Sequence, residues 1–281
     1  MKRAGLVSLT LLLVLAVGGA SCEPEARQCL DRADDLSFKG RHEAAMSQVE
    51  KALESLRGDN SAEARPLRIE ALWTAGRLTH LYLHQPRVAL RYYQTLVEDY
   101  PTSPEALRAR ERMARIHVED LDDRPASVGL YQALIATDTD SPEAPRWQHE
   151  VALGYYAQGN WTQARTEAQV LLEKHEDSEY VDDALFLIGG AFQAEEKLDE
   201  ALKAYSRLHE EHASSILVPR AWVEEGNCLA RQGKTDEAIA AYIRALETHP
   251  DPRAVQVKIA RLKTRKKALV PDEESYQRPG H

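Results

Sequence analysis

The chain has 281 residues, of which 43% are hydrophobic and 29% are charged. This composition is typical of a folded protein and excludes wholesale disorder, a collagen-like chain and a multi-span membrane protein. The formal net charge of -9 repels nucleic acid phosphates, and three cysteines cannot form a disulfide framework. We therefore expect no nucleic acid partner.

The N-terminus has the organisation of an export signal. Lys2 and Arg3 precede an apolar run, residues 6–17, that is too short to span a bilayer, and small residues at 18–21 then lead to Cys22. This arrangement resembles the lipobox of bacterial lipoproteins. The resemblance implies that cleavage occurs directly before Cys22 and that the Cys22 thiol carries the lipid.

Residues 1–21 are accordingly interpreted as a lipoprotein signal peptide, and residues 22–25 as a lipidated linker. Gly18 and Ala20 also fit the small-x-small pattern of an ordinary secretory signal cut after Ala20. Both interpretations export the protein, and they differ in whether a lipid tethers it.

The rest of the chain is dominated by a repeat of about 37 residues. Each small residue of one series is followed by mostly apolar residues at i+4 and i+7, the spacing of one helical face. A second series of small residues precedes the first by 12 residues in five repeats and by 13 in the other. Close helix crossings require such small residues, so each repeat is predicted to be a helical hairpin. The first series is Ala45, Ala89, Ala126, Ala164, Ala201 and Ala238, and the second is Ala33, Gly76, Ala114, Ala152, Gly189 and Gly226.

The linkers carry helix-start signals. The sequence Ser-Pro-Glu-Ala at 103–106 recurs at 141–144, and Ser178 and Ser215 continue the series. Serine as N-cap and proline at the first helical position favour a helix start at each of these points. Glycines 40, 159 and 233 are predicted to form turns inside three hairpins.

Residues 222–250 resemble a tetratricopeptide repeat, and the two preceding repeats match them position by position; the residues that carry the resemblance are Trp222, Gly226, Leu229, Gly233, Ala238, Tyr242, Ala245 and Pro250. The resemblance implies an all-α fold in which residues 26–250 form a right-handed superhelix, an α-solenoid of about six hairpins. The longer repeat is similar to the subgroup that contains BamD, the lipoprotein of outer-membrane β-barrel assembly, and the periplasmic repeat protein associated with Tol-Pal.

The C-terminal segment is predicted to cover the last repeat. Within residues 251–269, Val255, Ile259 and Leu262 share one helical face, and the opposite side is basic. The basic side is interpreted as a solvated outer face, with binding to anionic headgroups or an acidic partner as the alternative. Residues 270–281 are predicted to be a disordered tail.

The sequence offers little support for catalysis. It lacks a Gly-rich phosphate loop, a Cys-x-x-Cys motif and a nucleophile elbow, so we predict no enzyme activity and no cofactor. His80 with His84, and His209 with His212, have the spacing of paired zinc ligands, but neither pair has an evident third ligand. No metal site is therefore predicted, and a secreted metal-dependent enzyme remains the alternative.

The family resemblance also selects a candidate peptide-binding groove on the first helices of the hairpins. The selected positions are mostly basic, although the chain as a whole is acidic, and arginine presents a planar fork suited to carboxylates. We predict that the groove binds an acidic peptide segment or a C-terminal carboxylate; the alternative is that the arginines pair with Glu111, Glu119 or Glu150. The candidate residues are Arg77, Arg108, Arg115, Arg146, His149, Tyr156, Phe186, Gln193, Arg220 and Asn227.

Together these features predict a non-enzymatic scaffold lipoprotein on the periplasmic face of the bacterial outer membrane, with a soluble periplasmic or secreted protein as the alternative. Its partners are expected to be envelope proteins or peptides, and its contact with the membrane a lipid anchor. The resemblance implies a role in barrel assembly, as a secretin pilotin for type IV pili or secretion, or as a Tol-Pal-linked coordinator.

Overall fold

The structure, a computed structural model, describes residues 23–269. The predicted signal peptide (1–21), Cys22 and the predicted tail (270–281) lie outside the described residues. Within residues 23–269 the chain forms thirteen α-helices and no strand, which confirms the all-α class. The helices are α1 Glu23–Phe38, α2 His42–Ser55, α3 Ala64–Arg77, α4 Pro86–Asp99, α5 Pro104–Arg115, α6 Arg124–Thr137, α7 Ala144–Ala157, α8 Trp161–Lys174, α9 Val181–Ala194, α10 Leu198–Glu211, α11 Val218–Arg231, α12 Thr235–Leu246 and α13 Pro252–Leu269.

The helices belong to two compact units that divide between Tyr92 and Tyr93. In the first unit, α1 packs against α2 and α2 against α3, around buried side chains that include Leu30, Val49 and Leu56. Because α1 begins at Glu23, residues 23–25 belong to this helix rather than to the predicted linker.

In its described part, residues 93–269, the second unit contains four complete hairpins, α5/α6, α7/α8, α9/α10 and α11/α12. The second helix of each hairpin packs against the first helix of the next, so the apolar faces of neighbouring hairpins cover one another. Leu185, Tyr205 and Leu208 belong to a buried cluster that joins α7 to α11. No helix between residues 23 and 269 is both long and apolar enough to cross a bilayer.

The predicted register is wrong by one residue in the third repeat. Ala126 is exposed, and the neighbouring Ser127 is fully buried. Tyr131 and Leu134, at i+4 and i+7 from Ser127, are buried with it. Ser127 occupies the small position without leaving an unpaired hydroxyl, because its Oγ donates to the backbone oxygen of Arg124.

This correction exposes a common feature of the second and third repeats. Ser127 follows Ala114 by 13 residues, the same long spacing that the second repeat has. In both repeats the first helix continues into a five-residue π-helical turn, Leu78–Tyr82 or Ile116–Asp120. The wider turn takes up the extra residue and leaves the small positions in register.

The linker serines act as predicted only once. Ser103 caps α5, and its Oγ accepts the Ala106 N–H at 3.1 Å. In the three later linkers the serine accepts an N–H two residues on, within a turn that precedes the helix, so the predicted helix starts are too early there; these serines are Ser141, Ser178 and Ser215. The predicted glycine turns are confirmed, because Gly40, Gly159 and Gly233 have φ values of 71°, 73° and 80°.

Helix α13 covers the last hairpin, as predicted. Val255 and Ile259 are buried in a cluster with Val223, Tyr242 and Ala245, and Leu262 packs against it. Most basic side chains of α13 face outwards and are exposed. Two exceptions reach back to the hairpin: Lys266 pairs with Asp236, and Lys258 donates to Asn227.

Candidate binding groove

The predicted groove residues are divided between the two units. Arg77, at the end of α3, is exposed in the first unit. The other nine lie on the first helices of the second unit: Arg108 and Arg115 on α5, Arg146, His149 and Tyr156 on α7, Phe186 and Gln193 on α9, and Arg220 and Asn227 on α11.

Two of the predicted arginines are already paired with carboxylates. Arg115 Nε lies 2.9 Å from Glu119 Oε1. Arg146 lies 2.6 Å from Glu111 and 2.7 Å from Glu143. A partner carboxylate would have to displace these contacts, so Arg115 and Arg146 are poor candidates for first contact. Pairing within the groove, the alternative weighed above, therefore applies to both.

Arg108 and Arg220 remain accessible. Both are exposed, and neither has an ion-pair partner within residues 23–269. The Arg220 guanidinium lies over the Phe186 ring, 5.0 Å from its centroid. This cation–π contact holds the side chain in place and leaves its N–H groups free for a ligand.

The structure brings four predicted residues together in one cleft of about 440 Å³, formed by α7, α9, α10 and α11. Aromatic side chains form its walls, and two arginines and two glutamates line it. The cleft is lined by Tyr156, Phe186, Gly190, Gln193, Ala194, Glu196, Tyr205, Arg220, Glu224 and Arg231.

Glu224 is one of the six cleft residues that the sequence did not predict. Its Oε2 accepts hydrogen bonds from Gln193 Nε2 at 3.2 Å and from Asn227 Nδ2 at 2.9 Å. Asn227 therefore supports the carboxylate, and it is not among the residues that line the cleft. Glu224 follows Arg220 by four residues on the same helical face, a spacing that could have revealed it.

Further hydrogen bonds fix the orientations of the Gln193 and Asn227 side-chain amides. Tyr205 donates its hydroxyl to Gln193 Oε1 at 2.9 Å. Tyr242 and Lys258 both donate to Asn227 Oδ1, each at 2.9 Å. With their oxygens occupied, both amides present N–H groups to the carboxylate. Burial raises the pKa of Tyr242 to about 12, so this hydroxyl keeps its proton at neutral pH.

Comparison with known proteins agrees with this architecture. The tetratricopeptide repeat-like domain matches residues 87–264, more than half of the chain. The chain belongs to this family. No curated protein sequence matches it.

Solved tetratricopeptide repeat (TPR) structures share the fold. The C-terminal part of a TPR protein from Cytophaga hutchinsonii aligns with a TM-score of 0.57 and 15% identity, over 82% of this chain and 86% of that one. PilW, a widely conserved type IV pilus biogenesis factor, aligns with a TM-score of 0.50 and 13% identity, over 83% of this chain and 98% of that one. YrrB, a TPR protein with an unusual peptide-binding site, aligns with a TM-score of 0.50 and 16% identity, over 70% of this chain and 91% of that one. At these identities the likeness concerns the fold.

His209 and His212 of this TPR chain have separate partners. His209 Nε2 lies 2.8 Å from Glu225 Oε2, and its ring stacks on Trp222 at 3.6 Å between centroids. His212 Nδ1 lies 2.9 Å from Asp182 on α9. Within residues 23–269 no group of three or more His, Cys, Asp or Glu side chains could hold a metal ion. Both geometries are those of packed histidines.

The cysteines of the TPR hairpins are buried and free. Cys29 lies in α1, and Cys228 lies in α11. Burial raises the pKa of the Cys228 thiol to about 11, with a further contribution from the charge of Glu224. The thiol is therefore protonated at neutral pH and is a poor nucleophile.

His149 makes the stability of the folded state depend on pH. Its ring stacks on Tyr180, 5.0 Å between centroids, and burial lowers the pKa of His149 from 6.5 to about 4, with Arg124 acting in the same direction. The folded state therefore favours the neutral imidazole. Its contribution to stability is complete above pH 6.5 and is lost as the pH falls towards 4. We expect His149→Gln to flatten the pH dependence of the free energy of unfolding over this interval, measured by urea titration. An unchanged slope would contradict the assignment.

Proposed function

We propose that this protein is a non-enzymatic scaffold that binds polypeptide partners on the first-helix face of its second unit. The observation that carries the proposal is the convergence of Tyr156, Phe186, Gln193 and Arg220 on one cleft. Its polar groups are held by hydrogen bonds before any ligand arrives, which lowers the entropic cost of binding. The family fold, typically an interaction scaffold, supports this role.

The exposed arginines indicate which groups of the partner they bind. We propose that Arg108 and Arg220 contact carboxylates of the partner, from acidic residues or a chain terminus. Arginine suits this role because its planar fork pairs with both oxygens of a carboxylate. The paired arginines Arg115 and Arg146 contribute to the field of the groove rather than to direct contacts.

The groove proposal is tested by crosslinking in cells followed by membrane extraction and copurification. The groove variant is Arg108→Glu/Arg220→Glu, and the control is Lys51→Glu/Lys203→Glu, which reverses two exposed charges on second helices. Wild type and control should recover the same polypeptide. The groove variant should recover at least about tenfold less, which corresponds to about 1.4 kcal/mol. Equal recovery from all three, with unchanged helical circular dichroism, would refute the groove.

We further propose that Cys22 is lipidated and that the protein lies on the periplasmic face of the outer membrane, within barrel assembly or a related envelope complex. The lipobox-like segment before Cys22 supports the anchor. Several acyl chains, at about 0.8 kcal/mol per buried CH₂, make such an anchor effectively permanent. The shared fold with PilW favours a pilus-related complex as the second candidate.

Labelling with radioactive palmitate tests the anchor, and Cys29 provides a matched control in the same region. Wild type and Cys29→Ala should incorporate label, and Cys22→Ala should incorporate none. Label retained in Cys22→Ala would place the lipid elsewhere. An unlabelled wild type that fractionates with the soluble periplasm would replace the lipoprotein by the soluble alternative.

A further inference from the structure

Glu224 is a charged group for which the fold supplies hydrogen bonds but no cation. It is partly buried at the wall of the cleft, and both of its amide donors bind the same oxygen, Oε2. No Lys, Arg or His side chain within residues 23–269 forms an ion pair with it. A carboxylate taken partly out of water gains most from a charged donor, and here that donor is missing.

The supporting network has one direction. Tyr205 donates to Gln193, and Tyr242 and Lys258 donate to Asn227. Each amide in turn donates an N–H to the Glu224 carboxylate. Every donor in these two series of hydrogen bonds therefore stabilises the ionised carboxylate. Lys258 belongs to α13, so the capping helix also takes part. Five side chains thus orient one carboxylate, which has no ion-pair partner in the described part of the chain.

The second carboxylate of the cleft is already paired. Arg231 pairs with Glu196. Arg220 lies over the Phe186 ring. Burial raises the pKa of Asp183, and the charge of Arg220 opposes that increase. Arg220 and Glu224 have the i,i+4 spacing of a helical ion pair but do not form one. Two charges of the cleft therefore lack an ion-pair partner within residues 23–269, the guanidinium of Arg220 and the carboxylate of Glu224.

Two further observations indicate that a cation would be stabilised beside Glu224. The charge of Glu224 adds to burial in raising the pKa of Tyr156 and that of Tyr205. The walls are aromatic, and a low-dielectric wall strengthens the attraction between a carboxylate and a cation. Phe186 already binds a guanidinium on one face, so the aromatic surface of the cleft tolerates a cation.

We propose that the cleft binds a cationic side chain, the ammonium of lysine or the guanidinium of arginine, with Glu224 as its counter-ion. That the cation belongs to a polypeptide rests on the proposed function; the other source of the same chemistry is a free amine. The partner segment would then carry a basic residue for Glu224 beside an acidic group for Arg220.

A titration with small peptides tests the proposal directly. The probes are Ac-Ala-Lys-Ala-NH₂ and its norleucine counterpart, which has a similar shape and no charge, added to the mature full chain. The readout is the side-chain ¹H–¹⁵N resonances of Gln193 and Asn227, which bond Glu224. The lysine peptide should shift both resonances saturably, and the norleucine peptide should bind at least tenfold more weakly. Equal affinity for the two peptides would overturn the proposal.

Two variants locate the contact. Glu224→Gln keeps the size of the side chain and should weaken lysine-peptide binding at least tenfold. Glu237→Gln, which neutralises an exposed glutamate in the first turn of α12, should bind like wild type. Unchanged affinity in Glu224→Gln would refute the site, and so would an equal loss in both variants.

A free diamine, putrescine, separates the two sources. Binding of the lysine peptide at least tenfold more tightly than putrescine assigns the site to polypeptides, and the reverse order assigns it to free amines and overturns the polypeptide source. The outcome is distinct from failure of the proposed function. Loss of the lysine response in Glu224→Gln is read by titration, whereas loss of partner recovery is read by crosslinking of the arginine variant.

Discussion

Val255→Asp is expected to destabilise the second unit by about 3 kcal/mol or more, because it leaves an unpaired charge in an apolar cluster. Val255 is 1% exposed and packs with Val223, Tyr242 and Ala245. The control is Val257→Asp, two residues further along α13, where the valine is 49% exposed. The control should change the free energy of unfolding by no more than about 0.5 kcal/mol.

The measurement is urea unfolding of the full chain, followed by tryptophan fluorescence and circular dichroism together. Trp222 packs against the same cluster, and three of the four tryptophans lie in the second unit, so most of the fluorescence change reports that unit. Two units can unfold separately, and the two probes show whether they do. Similar midpoints for the two valine variants would mean that α13 does not cover the last hairpin. Its basic face would then need a different explanation.

The capping helix shows where sequence patterns are sufficient. Val255, Ile259 and Leu262 repeat at helical spacing, and a helix with one apolar face must bury that face against something. The preceding hairpin is the nearest apolar surface, so the contact follows from the pattern. The same logic predicted the hairpins and the small residues where their helices cross.

The third repeat shows where sequence patterns fail. Ala126 and Ser127 are adjacent and both small, and the regular 12-residue spacing from Ala114 selected the wrong one. Only the buried side chains Tyr131 and Leu134 fix the register. The π-helical turn that accommodates the extra residue has no sequence signature of its own, because it is a response to packing.

The positions of some cleft residues could be predicted from the sequence, but the charges of the cleft could not. Positions on the first helices follow from the repeat, so Tyr156, Phe186 and Gln193 could be selected. The charge of a groove depends on which ions pair inside it, and that depends on rotamers and on neighbouring repeats. Arg146 illustrates the point, because its partner Glu111 comes from the preceding hairpin. The projection of the family's groove positions onto α11 selected Arg220 and Asn227, and it passed over Glu224 between them.

The small positions lead to the second prediction, Gly189→Ala. A Cβ on Gly189 would lie 2.5 Å from Cε1 of Tyr205, whose ring is 1% exposed and whose hydroxyl is held by Gln193. The ring cannot move aside without breaking that hydrogen bond. Overpacking of this kind costs about 1–3 kcal/mol, and it acts against the gain of about 1 kcal/mol in helix propensity. We expect a net loss, measured as a lower urea midpoint.

Gly129→Ala isolates the propensity effect, because Gly129 lies in α6 with nothing within 4 Å of an added Cβ. That change should stabilise the protein by about 0.5–1 kcal/mol. A double-mutant cycle with Tyr205→Val then tests the cause, since the first hairpin has alanine and valine, Ala33 and Val49, at the corresponding positions. Without the tyrosine ring, Gly189→Ala should become neutral or stabilising. If it stays equally destabilising, close approach of the ring is not the reason for the glycine, and the backbone of α9 itself must require it.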